Sequence, residues 1–477
     1  MPLVNVTREA PAVTTTPPPA TAPRLSRSSA PGHPAAPVRV VHVGVGNFFR
    51  AHQAWYTDRA PDAAEWGIAA FTGRSPAVAD ALEPQDGLYT LVTRGADGDH
   101  LEVIGSISAV HRSDDHTAWL GYLSSPDVVV VTVTVTEAGY LLGPDGRLDA
   151  GREDVAADVG ALRDDPRAPV RTTPGRLVAG LLARRAAGAG GLTIVPCDNL
   201  PDNGPALAAV LADLVDAVDP TLATWVAEHV ELATTMVDRI TPATTDEHRD
   251  VVLAATGLVD AAPVPTEPFS EWVIEGRFPY GRPAWDAAGA QVVDDVRPFE
   301  QRKLWLLNGA HTLLAYAGSI RGHETVAEAV GDRVLRGWVE EWWDEAVAYL
   351  SLPPADVAAY RAALLDRFGN PAIRHALAQI AADGSQKVPV RIVPTLRAEL
   401  AAGRVPAGAA RVLAAWVLHL RGSGAPVKDA RADEVLPLVA GTLEESVAAV
   451  LGLVAPDLAD HDGLRSAVLE RTRDLTA

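Results

Sequence analysis

"VRVVHVGVGNFFRAH" (38–52) decides how the first half of the chain is read. Val38 to Val43 form a short, largely β-branched run, and Gly44 and Gly46 follow it at once. A helical pattern, "FFRAHQAWYTDRA", comes next. In a strand–turn–helix context Gly44 permits a tight turn. Gly46 lets the backbone approach a pyrophosphate where free N–H groups favour anions. The third glycine of G-x-G-x-x-G is missing, and Phe49 stands there. An ordinary strand-to-helix turn would use the same two glycines.

Outward from this turn, strand and helix patterns alternate. "WGIAAFTGR" (66–74) reads as a second strand, and "LYTLVTR" and "LEVIGSISAV" as a hairpin inserted into the sheet. "DVVVVTVTVTE" is a fully buried strand; "GLTIVPCDN" (191–199) is another, followed by the helical "GPALAAVLADLVDAV". The alternation predicts a mostly parallel sheet with helices on both faces. The second strand ends in "FTGRSP", with no acidic residue to hold a ribose 2′-hydroxyl. Arg74 there either meets a 2′-phosphate, which favours NADP over NAD, or faces solvent in a loop.

Near residue 290 the texture changes to helical patterns separated by Gly, Pro and Asp. Residues 1–36, crowded with Pro, Ala, Thr and Ser, read as a disordered tail. An α/β dinucleotide-binding domain is expected at 37–290 and a mainly α-helical substrate domain at 291–477. The tryptophan-rich "WVEEWWDEAV" (338–347) is expected in the core rather than at a subunit contact.

Composition narrows the partners. The formal net charge is -20 over 477 residues, which repels nucleic acid and anionic membranes. A single cysteine, Cys197, allows no internal disulfide, and no Cys/His cluster has zinc spacing. Metal-independent chemistry is expected. No run is apolar and long enough for a bilayer, and no charged n-region precedes an apolar stretch. A cytoplasmic protein acting on a small molecule is the expectation.

"QRKLWLLNGAHTLLAY" (301–316) then raises the chemistry. It reads as one buried helix, yet it holds Lys303, Asn308 and His311. At about 100° per residue these fall near 0°, 140° and 80°, on one side of the axis. A desolvated lysine with a lowered pKa suits a general base for alcohol oxidation. Asn308 suits donation to a developing alkoxide, and His311 suits substrate fixation or support of Lys303. The alternative is a lysine reaching solvent while Asn and His satisfy backbone groups.

At this point the chain resembles the polyol-specific long-chain dehydrogenases, the mannitol dehydrogenase family, over about 38–400. The motifs are "GVGNFFRAHQAWYTD" (44–58), "QDGLYTLV" (85–92), "TVTEAGY" (134–140), "CDNLPDNG" (197–204) and "MVDRITP" (236–242). "TEPFSEWVIEGRF" (266–278), "KLWLLNGAHT" (303–312) and "DGSQKVP" (383–389) continue it. The resemblance implies a Rossmann-type N-terminal domain, a helical C-terminal domain, NAD or NADP, no metal, and a monomer or weak homo-oligomer. It implies Lys303 as catalytic base, Asn199 and Asn308 as the pair on the reacting oxygen, and His311 as a substrate contact. Asp238 and Lys387 match substrate-binding positions, and Glu300 a carboxylate gating proton exit. Phe48 and Arg50 fall with Gly44 and Gly46 in the cofactor-side motif. Asp238 would equally pair with Arg239, and Lys387 would equally complement a helix C-terminus. Asn199, after the buried "LTIVPCD", sits where open α/β sheets place ligands.

The implied activity interconverts a hexitol and a ketose, mannitol and fructose first. Gln379 stands where strict mannitol enzymes carry arginine. Gln379 and "LNGAHT" resemble the fructuronate reductase branch, in which Arg391 would meet a carboxylate. Mannitol 1-phosphate is a third substrate in view.

Overall fold

The computed structural model describes residues 4–6 and 22–476, and the chain divides between Val296 and Arg297 into two units. In the first unit the β-branched runs pair side by side. The strands of the main sheet, numbered in chain order, are β1 (Val38–Val43), β2 (Gly67–Phe71), β3 (Ile107–His111), β4 (Val130–Val133), β5 (Leu192–Pro196) and β6 (Val230–Leu232). Their order is β3-β2-β1-β4-β5-β6 and every pairing is parallel. This is the doubly wound order, and it reverses between β1 and β4, where such sheets bind dinucleotides. Side chains alternate along β1. Val41 and Val43 bury into a cluster with Trp119, Leu177 and Leu181, and Val40 into one with Phe49, Tyr56 and Trp272. Both faces are therefore covered, which is why the strands read as continuous apolar runs.

Three sequence expectations need correction. The hairpin Tyr89–Gly95/Gly98–Ile104 does not enter the parallel sheet; it forms a second sheet with Val264–Thr266 and Val4–Val6. Only the next segment, β3, joins the main sheet, where it pairs in parallel with β2 at the edge. Residues 22–36 of the expected tail are held against the rest of the first unit. Leu25 and Ala30 are buried against Leu88, and the Leu25 N–H donates to Val259 O at 2.9 Å. Arg27 adds bonds to Gly105 O (3.0 Å) and Ile107 O (2.8 Å). A few apolar anchors and one arginine secure a stretch whose composition reads as solvated. The expectation for 1–3 and 7–21 lies outside the described residues. Finally, Gln291–Val293 pairs in parallel with Val273–Glu275, so this strand belongs to the first unit rather than to a domain starting at 291.

The second unit is helical. Its opening element runs from Arg297 to Gly318 and changes register on the way. Arg297–Arg302 and Gly309–Leu313 are α-helical; Lys303–Asn308 and Leu314–Gly318 are π-helical. Two tryptophans of the helix Arg333–Val347 lock the first π segment. Trp342 Nε1 donates to Trp305 O and Trp343 Nε1 to Leu306 O, each at 2.9 Å. Both indoles are fully buried, as expected for the tryptophan-rich segment. Among the described residues no helix is long and apolar enough to cross a membrane.

The fit around Gly309 is tight: a Cβ there would lie 2.6 Å from Trp342 Nε1. Gly309→Ala should therefore destabilise the protein by about 1–3 kcal/mol through overpacking. A thermal melt would register this as a fall in Tm. An unchanged Tm would mean that Trp342 has room to move.

Candidate active site

The turn after β1 is built for close approach. Gly44 holds φ +100°, and a Cβ on it would lie 2.0 Å from Thr134 O, in the segment leaving β4. Only glycine fits both the conformation and the contact. Gly46 differs. It is extended (φ −135°), and its Cβ would meet nothing nearer than Gly44 O at 3.7 Å. A side chain at Gly46 would therefore meet only an ordinary van der Waals contact.

Phe49 explains the missing third glycine. It is buried and stacks on His42 of β1, with centroids 3.4 Å apart and planes 8° from parallel. Where a third glycine would let helix and strand touch, a ring pair fills the gap. Burial pushes the His42 imidazole down to about 3, so it is neutral. Phe48 is partly buried and stacks on His52 at 5.0 Å.

Arg50 makes its contacts within the protein. It is buried, and its guanidinium donates to Ala262 O (2.5 Å), Asn47 Oδ1 (2.6 Å) and Gly46 O (3.2 Å). It braces the turn from within the protein. Arg74 is exposed in the loop leaving β2, the strand beside β1.

Asn199 is exposed just past the carboxyl end of β5, and Asp238 is buried at the end of the strand Thr234–Asp238. These two segments are stitched together: Thr235 Oγ1 donates to Pro196 O (2.6 Å), and Asn203 Nδ2 to Thr235 O (2.9 Å). Arg239 turns its guanidinium to the carbonyls of Glu267 and Ala51 and lies 4.5 Å over the Trp55 ring.

In the second unit the π register changes the geometry expected from an α-helical wheel. With i→i+5 bonding, Asn308 lies about one turn above Lys303 instead of well around the axis. Arg391 fastens the far end of this turn. Its Nη1 lies 3.4 Å from Asn308 O and 3.2 Å from Thr312 Oγ1, and Thr312 Oγ1 itself donates to Asn308 O at 2.8 Å. His311 is buried beside Phe368 (4.8 Å) and meets His375 edge-on (5.1 Å). Burial lowers the His375 pKa. Glu300 is partly buried in the turn before Lys303. Lys387 donates to Ile380 O (3.2 Å) and Ala382 O (2.5 Å), so it does complement the end of the short helix Leu377–Ile380. Gln379 is exposed on that helix.

Sequence reasoning passed over His375, Thr312 and Tyr140. His375 lies four residues before Gln379 in a segment already singled out, which was the available signal. Among the described residues no group of three or more His, Cys, Asp or Glu side chains is placed to hold a metal ion.

Comparison with known proteins bears on both units. Residues 38–287 match the family model for the mannitol dehydrogenase Rossmann domain, and 295–476 that for the mannitol dehydrogenase C-terminal domain. The chain is 38% identical to D-mannonate oxidoreductase of Escherichia coli, over 80% of each chain. It is 39% identical to D-arabinitol 4-dehydrogenase of Ralstonia nicotianae, over 81% of this chain and 84% of the other. The solved Pseudomonas fluorescens mannitol 2-dehydrogenase, a ternary complex with NAD and D-mannitol, superposes with a TM-score of 0.80. It is 33% identical and covers 95% of this chain and 96% of its own. With both domain models matched across nearly the whole folded chain, the protein belongs to the mannitol dehydrogenase family of oxidoreductases.

Proposed function

We propose that the protein interconverts a hexitol and a ketose, mannitol and fructose first, with NAD or NADP and Lys303 as general acid and base. The observation that supports this reading is the π-helical register of Lys303–Asn308, on a helix braced by buried indoles. In the oxidative direction Lys303 takes the hydroxyl proton. Asn199 and Asn308 donate to the oxygen as negative charge develops, and donors aimed in advance stabilise that charge most. In the reductive direction Lys303 returns the proton. Glu300, one turn before Lys303, passes protons toward solvent, and His311 and Asp238 hold substrate hydroxyls. The chemistry supplied by a bound nicotinamide is acceptance or donation of hydride. Gly44 and Gly46 would hold its pyrophosphate, and the exposed Arg74 supports NADP as the form with a 2′-phosphate to meet. Cytoplasmic action belongs to the same reading, supported by a single, buried cysteine.

Fructuronate is the second substrate in view, with mannitol 1-phosphate behind it. Arg391, fastened beside Asn308, supports it as a guanidinium suited to a carboxylate. So does the 38% identity to D-mannonate oxidoreductase.

Reduced-nicotinamide absorbance separates these readings. Fructose and fructuronate, each with NADH and NADPH, should yield turnover in one pairing above the others. Lys303→Ala should lower kcat by about 10²–10⁴, the range for a general acid–base group. Full activity in that variant would remove Lys303 from the chemistry. The two glycines make a second test. Gly46→Ala should keep Tm while weakening dinucleotide binding, measured by calorimetry. Gly44→Ala should lower Tm as well, because its Cβ would clash with Thr134 O. Unimpaired dinucleotide binding by Gly46→Ala would refute the place of Gly46 at the pyrophosphate.

A further inference from the structure

The loop that carries Asn199 is gripped by a buried pair that the proposed chemistry does not use. Asp198 is buried, and its Oδ2 accepts the hydroxyl hydrogen of Tyr140, which is buried too. Asp198 Oδ1 accepts the Leu200 N–H at 3.1 Å, so one carboxylate ties down the chain around Asn199. Asn203 adds a further side-chain hydrogen bond to Asp198. It is itself fixed, donating to Thr235 O (2.9 Å) and accepting the Thr235 N–H (3.0 Å). Burial holds the Tyr140 phenol far above its usual value, so the hydroxyl keeps its proton and is the donor. Burial also pushes the Asp198 carboxyl up to about 6, and the hydrogen bonds from Tyr140, Leu200 and Asn203 oppose that rise.

The pair joins two loops under backbone strain. Tyr140 closes the tight turn Glu137–Tyr140 beyond β4, and Leu141 directly after it holds φ +60°. Asp202, in the loop beyond β5, holds φ +51°. Non-glycine residues in this region persist only where their surroundings impose it, and they gather at functional sites. Thr134 links the same loops to the glycine turn. Its Oγ1 donates to Cys197 O at 3.2 Å, and its carbonyl is the atom that a side chain at Gly44 would strike.

We propose that Tyr140 and Asp198 are positioning residues whose phenol–carboxylate bond holds the Cys197–Leu200 turn so that Asn199 presents its carboxamide in one orientation. The proposal rests on the reading of Asn199 as a donor to the reacting oxygen. A preorganised donor contributes most in the transition state and loses value steeply when misplaced. The pair therefore acts on kcat through Asn199 and leaves dinucleotide affinity alone.

The test is a double-mutant cycle on the full chain, reading kcat, dinucleotide Kd and Tm. Asn199→Ala should lower kcat by about 10²–10³, as for loss of one oxyanion donor. Tyr140→Phe should lower kcat roughly tenfold while Kd stays within about twofold, and in the Asn199→Ala background its effect should vanish. Asp198→Asn, which still accepts from Leu200 and bonds Tyr140, should retain most of the kcat that Asp198→Ala loses. Equal losses from Tyr140→Phe in both backgrounds, or none in either, would overturn the positioning role. A drop in Tm with kcat per folded molecule intact would do the same. Unchanged kcat in Asn199→Ala alone would sink the reading of Asn199 and this proposal with it. If Tyr140→Phe does not fold, Asp198→Ala against Asp198→Asn in both backgrounds decides the matter.

Discussion

Two indole N–H groups set the register on which the second unit's polar residues depend. Trp342 and Trp343 each donate to a carbonyl of the π segment, and Gly309 lets the first indole come close enough to do so. An α-helix would use those carbonyls within itself. Side-chain donors from a neighbouring helix make a wider turn tolerable, and the wider turn carries Asn308 back over Lys303. Arg391 and Thr312 secure the same turn through the Asn308 carbonyl. The backbone that carries Lys303 and Asn308 is thus distorted, and packing from a neighbouring helix braces the distortion.

The first unit solves the corresponding problem with loops. Segments leaving β1, β4 and β5 interlock at the carboxyl edge of the sheet, where the strand order reverses. Gly44 rests on Thr134, Thr134 bonds Cys197, and Tyr140 bonds Asp198. Arg50 supports this edge from the interior, by bonds to Gly46 and to Ala262, more than two hundred residues away. Exposed Asn199 and Arg74 stand on loops whose bases are buried and bonded.

Much of this was legible in the sequence because it follows from local pattern. β-Branched runs alternating with helical ones led to the parallel sheet, and Asn199 fell at a strand end by simple counting. What escaped depended on distant partners. The α-helical wheel around Lys303 assumed about 100° per residue, and nothing in "KLWLLN" announces that indoles some forty residues on will widen the turn. Arg50 was grouped with the cofactor-side motif by its place beside the glycines, and the distant carbonyl it meets is not visible there. Leu25 and Ala30 hid among prolines, since two buried apolar residues make no periodic signal. The hairpin at Tyr89–Ile104 carried a correct strand pattern, but pattern does not say which sheet a strand joins.

The two glycines of the first turn carry different histories of constraint. Gly44 is required by the fold itself, through its φ and its contact with Thr134. Gly46 is extended, and a Cβ there would come no nearer than 3.7 Å to Gly44 O. If Gly46 serves the pyrophosphate as proposed, a descendant that stopped using a dinucleotide would keep the first glycine under selection for folding and release the second to drift. On that proposal the pair works as a molecular record: in any lineage, a side chain at the second position beside an intact first glycine would mark a scaffold that outlived its cofactor.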